Sequence, residues 1–94
     1  MKEFDHVRLL TNKYIDEGIK YGDIGVILED YGDGHFEVEF SDYRTGSGFT
    51  IVLSSFHQDE LEFVDDETAN KIMNASKSKE QYDFSKHIIE DNDE

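Results

Sequence analysis

Between Ile24 and Phe40 apolar side chains recur at every second position on both sides of Tyr31-Gly32-Asp33-Gly34. Ile24, Val26 and Leu28 alternate with Gly25, Ile27 and Glu29, and Phe36, Val38 and Phe40 alternate with Glu37 and Glu39. Period-two alternation around a glycine-rich turn is the pattern of a β-hairpin buried on one face. A two-residue turn at Asp33-Gly34 sets Leu28 against Glu39 and mixes apolar with acidic positions. A three-residue Gly32-Asp33-Gly34 loop sets Leu28 against Val38 and Val26 against Phe40, which leaves one clean apolar face. The same register predicts Glu29 opposite Glu37 and Ile27 opposite Glu39. Like charges facing each other across a strand pair destabilise it by tenths of a kcal/mol up to about 1.

The flanking segments extend the β pattern. Val7 and Leu9 alternate with polar neighbours and predict a strand near Asp5 to Leu10. A long polar loop follows, Thr11 to Gly22, with Tyr14, Ile15 and Ile19 as apolar anchors and Gly18 and Gly22 as positive-φ positions. After the turn Ser41 to Gly48, the run Phe49 to Leu53 is apolar enough to be buried on both faces near a barrel seam. Ser54 to Gln58 reads as a short turn before Leu61 to Val64 closes the sheet. Phe36, Val38, Phe40, Val26, Leu28, Ile51 and Leu61 are the expected core. The fold class is therefore mainly β: a small five-stranded SH3-like barrel over residues 1–65. Residues 66–94 form a helical to disordered acidic tail, with Asp66 as helix cap and Ala69, Ile72 and Met73 on one face. Ser76 to Lys79 interrupts that helix, and the tail is expected to add little stability.

The sequence holds 23 acidic against 9 basic residues, a formal net charge of −14. Residues 1–65 carry 15 acids and 5 bases and residues 66–94 carry 8 acids and 4 bases, so most of the excess lies in the barrel segment. Such a field repels nucleic acid and anionic lipid, because phosphate binding requires Lys and Arg to displace counterions. The partner expected is a basic protein, with neither direct nucleic-acid nor membrane contact. The absence of cysteine removes disulfides, thiolate metal sites and cysteine nucleophiles, and fits a reducing compartment. No signal peptide or membrane span is read from the sequence, and the cytoplasm is the expected location.

The acids of the hairpin and its flanks, Glu29, Asp30, Asp33, Glu37, Glu39 and Asp42, form either an ordinary solvated face or a surface that captures a basic partner. Tyr31 and Tyr43, with Tyr14 and Tyr21, offer the other reading: an aromatic rim that binds extended peptides, or rim packing with the hydroxyls in water. Asp30 to Gly34 fails as a calcium loop because Gly32 and Gly34 occupy ligand positions. His6, His35, His57 and His87 show no ligand spacing on one element, so no metal is expected. No nucleophile elbow, phosphate loop or dinucleotide fingerprint is present, so neither an enzyme nor a cofactor is expected.

Asp5-His6-Val7-Arg8-Leu9-Leu10, Gly22-Asp23-Ile24-Gly25-Val26-Ile27, Phe36-Glu37-Val38-Glu39-Phe40 and Leu61 together resemble a bacterial family of small proteins, domain-of-unknown-function family 4926, over about residues 5–64. The resemblance implies an SH3-like or KOW-like barrel. Some members stand beside toxin-like partners, which implies an antitoxin or immunity role. The Tyr43 to Gly48 insert and the long tail depart from the family pattern, and no catalytic residue is implied.

Overall fold

The computed structural model describes residues 1–76. Five strands, β1 (His6–Leu9), β2 (Ile24–Asp30), β3 (His35–Ser41), β4 (Thr50–His57) and β5 (Leu61–Val64), form one antiparallel sheet in the order β4-β3-β2-β1-β5. A helix, α1, follows and is described over residues 66–76. The readings of Lys77 to Glu94, including the tail beyond Ser76 and His87, lie outside the described residues.

β4 and β5 occupy opposite ends of the ladder yet are joined by a single 3₁₀ turn, Gln58–Glu60. Fully extended, the link from His57 to Leu61 reaches at most about 14 Å, whereas the outer strands of a flat five-stranded sheet stand about 19 Å apart. The sheet must therefore coil until its edges approach. This is compatible with the SH3-like expectation, but the ladder is not closed into a barrel: among the described residues β4 pairs only with β3 and β5 only with β1. The turn itself is held by a reciprocal cap, with Asp59 N–H donating to His57 Nδ1 and His57 N–H donating to the Glu60 carboxylate.

The expected three-residue loop is present, with Gly32 and Gly34 at φ 85° and 91°, and Glu29 pairs with Glu37. Beyond that pair the register differs from expectation. A bulge at Leu28 shifts the ladder so that Ile27 opposes Val38 and Val26 opposes Glu39. One extra residue reverses the faces of a strand. Ile27 is consequently fully buried, Leu28 is 36% exposed, and Val26 moves to the outer face. Gly25 takes the inward position next to Ile27. A Cβ there would stand 2.9 Å from Val38 Cγ1, Phe40 Cε1 and the Glu39 carbonyl oxygen, so the absent side chain is space already filled by β3.

The core under the sheet comprises Val7, Leu9, Ile19, Ile27, Phe36, Val38, Phe40, Val52, Phe56 and Leu61, with Tyr14 against it. Phe36, Val38, Phe40 and Leu61 are as expected; Val26, Leu28 and Ile51 are not in it. Ile51 is the unpaired residue of a second bulge, between the Phe40–Val52 and Ser41–Thr50 pairs. Nor is Phe49 to Leu53 buried on both faces: Phe49 is exposed just ahead of β4, and as an edge strand β4 buries Val52 and Phe56 and exposes Ile51 and Leu53. In the long loop Ile19 is buried and Gly18 and Gly22 have positive φ, whereas Ile15 turns outward.

On the other face α1 covers β2 and β5. Ile24, Val64 and Ala69 are buried together, with Tyr43, Ile72 and Met73 packed against them. Asp65, not Asp66, caps the helix. Thr68 N–H donates to Asp65 Oδ1 at 2.8 Å, while Asp66 Oδ1 meets His6 Nδ1 at 2.9 Å.

Candidate functional site: an acidic sheet face

Strand pairing assembles the acids on the side of the sheet opposite the core. Glu29 and Glu37 are direct neighbours, and Glu39 follows Glu37 on the same side of β3. Across the next pair Glu37 faces Ser55 and Glu39 faces Leu53, while the Thr50 hydroxyl donates to Glu39. Tyr31 Oη donates to Glu37 Oε1 at 2.8 Å, and that bond raises the tyrosine pKa, with some desolvation adding to it. Glu29, Tyr31, Glu37 and Glu39 therefore form one constellation, edged by Val26, Leu28 and Leu53.

The other expected site residues do not join it. Asp30 and Asp33 organise the hairpin turn: Asp30 Oδ1 accepts from Gly32 N–H at 2.9 Å and Asp33 Oδ1 from His35 N–H at 3.1 Å. Asp42 organises the β3–β4 loop, accepting from Thr45 and Ser47, and those donors hold its pKa below the ordinary aspartate value. Tyr43 is packed against α1, where its hydroxyl accepts from Ile24 N–H at 3.3 Å and Arg44 lies over its ring. Tyr14 meets Phe56 edge-on at 5.0 Å and donates to Glu60. Tyr21 and Tyr31 are the two exposed members of the supposed rim.

Cross-strand clustering, with no described cation beside it, sets the acidic constellation apart from scattered acids such as Glu3, Asp16 and Glu17. Lys2 pairs with Asp5, Arg8 with Glu62, Lys13 with Glu60, Lys20 and Arg44 with Asp23, and Lys71 with Glu67. Among the described residues no lysine or arginine pairs with Glu29, Glu37 or Glu39.

Three groups escaped the sequence reading. Asp23 is a buried carboxylate, 4% exposed, that accepts from Lys20 N–H at 2.9 Å and from Arg44 at 2.7 Å, tying the two long loops together. Glu60 receives Lys13, Tyr14 and His57 N–H. His35 and His57 are cross-strand partners with rings 5.1 Å apart, a pairing visible only once β3 is set against β4. Among the described residues no group of three or more His, Asp or Glu is placed to hold a metal ion. A shallow hollow of about 170 Å³ lined by Arg8, Glu62, Phe63, Val64, Asp65 and Thr68 is smaller than typical ligand pockets. No helix of the described residues is long and apolar enough to cross a membrane.

These features define a small, open, antiparallel β domain with a helix on one face and, beside it, an acidic patch that no described lysine or arginine pairs with. A family model described as "domain of unknown function (DUF4926)" matches residues 3–63, and the chain belongs to that family. No curated protein and no solved structure matches the chain.

Proposed function

We propose that the chain is a non-enzymatic, cytoplasmic binding protein whose acidic face docks a basic protein surface, in the manner of an immunity or antitoxin protein covering a toxin. The supporting observation is the clustering of three glutamates on one sheet face with no described cation among them. Each described lysine and arginine is engaged elsewhere, while Glu29 and Glu37 face each other with Glu39 beside them. A docking cation relieves that repulsion, and complementary potentials accelerate association and select partners. No specific observation favours the tyrosine rim as a peptide-binding alternative, since Tyr14 and Tyr43 are held in packing.

The test compares octalysine binding by the wild type and by Glu29→Lys/Glu37→Lys/Glu39→Lys. A second variant, Asp16→Lys/Glu17→Lys/Glu67→Lys, makes the same change in net charge at other exposed sites. The face variant should bind at least tenfold more weakly than this control; equal weakening of the two would mean that only global charge matters.

A further inference from the structure

The two edges of the ladder are unlike. β5 is four residues long and carries Glu62, ion-paired to Arg8, which is the short, charged form that discourages strand addition. β4 is eight residues long, and from Thr50 to Phe56 it holds neither a charged residue nor a proline. Its bulge lies at its start, so its pairing with β3 is regular from Val52 to His57. Among the described residues β3 is the one strand hydrogen-bonded to it. Backbone groups of alternate residues in an antiparallel strand point to opposite sides, so half of those in β4 face away from β3. Leu53, 52% exposed, stands beside Glu39 on the acidic face.

We propose that the free edge of β4 takes up an extended segment of a basic partner protein as a sixth strand. This rests on the basic-partner reading above and adds the mode of capture. Backbone hydrogen bonds supply affinity, and alternating side chains supply selectivity. On the acidic face the added strand presents Lys or Arg, whose long stems lie across Leu53 while the charged ends reach toward Glu37 and Glu39. β3 is about 9–10 Å from an added strand, two strand spacings. Charge selects this occupant. A second copy carries the same formal net charge of −14, and residues 77–94 hold six acids against three bases; both have the wrong sign.

The experiment uses the full chain with three probes: a blocked octapeptide of alternating Lys and Val, the same peptide N-methylated at every residue, and octalysine. The alternating peptide should slow amide exchange at alternate positions of β4 between Val52 and Phe56 at least tenfold. The N-methylated peptide should bind at least tenfold more weakly, because neither of its edges can donate. Leu53→Lys, at an exposed position, should weaken the alternating peptide similarly and leave the unfolding midpoint near that of the wild type. If the N-methylated peptide binds as well as the parent, or the alternating peptide fails to bind where octalysine does, strand addition is overturned and the acidic-face reading stands. If octalysine also fails to bind, the reading beneath it falls too. Slow β4 amides in the free protein, relieved by dilution or by removal of residues 77–94, would show the edge already occupied and would equally overturn the proposal.

Discussion

At the scale of single residues, Gly25 and Glu60 show how little freedom the fold leaves at its joints. Gly25 lies where Val38 and Phe40 fill the space a side chain would need. Overpacking of this kind costs about 1 to 3 kcal/mol, so Gly25→Ala should lower the urea midpoint accordingly; an unchanged midpoint would mean that β2 and β3 separate freely. For Glu60, burial pushes the pKa up, but hydrogen bonds from Lys13 and Tyr14 outweigh it and hold the carboxyl below its ordinary value. A depressed folded pKa contributes stability that is present above the unfolded value and lost as pH falls through the folded one. The stability gap between wild type and Glu60→Gln should therefore be full at pH 7 and shrink as pH falls below about 4.5, the ordinary glutamate value,. Urea unfolding across pH 3 to 7 measures it, and a constant gap would contradict the assignment. The opposition of Glu29 and Glu37 was legible because the glycines fix the turn length. The burial of Ile27 was not: a bulge at Leu28 leaves no mark in an apolar run, and a glycine filling an inward position looks like a gap in the pattern.

At the scale of elements, β4 departs from its sequence expectation, whereas α1 is present with Ala69, Ile72 and Met73 on one face as expected. Phe49 to Leu53 is apolar enough for a central strand, but apolarity alone does not say whether a second layer covers it, and here the strand is an edge. The segment after Asp65 has few apolar anchors, yet one small residue, Ala69, allows α1 to approach closely enough to cover Ile24 and Val64. Fully burying an aliphatic side chain contributes about 1.5 to 3 kcal/mol. Truncation after Asp66 should therefore destabilise the sheet by about 2 to 4 kcal/mol through partly uncovering Ile24 and Val64. This differs from the small cost that the sequence suggests. A truncated chain with the wild-type urea midpoint would show that the helix contributes nothing to the sheet.

At the scale of the whole molecule, topology and charge act together. A three-residue link between the outermost strands coils the sheet, and the resulting outer surface is divided between α1 and the acids of β2 and β3. The sign and size of the charge were plain from composition. Its concentration was not, because it depends on where each lysine and arginine finds a partner, and those ion pairs join residues up to 54 positions apart, as in Arg8 with Glu62. Amide shift mapping of the wild-type protein with octalysine, at low salt and again at about 0.5 M, where screening acts within a few Å, tests the docking role of this face most directly. Docking on this face should centre the shifts on Glu29, Glu37, Glu39 and Leu53 at low salt, with affinity falling steeply as salt is added. Shifts spread evenly over Asp16, Glu17, Glu62 and Glu67, or an affinity indifferent to salt, would contradict it.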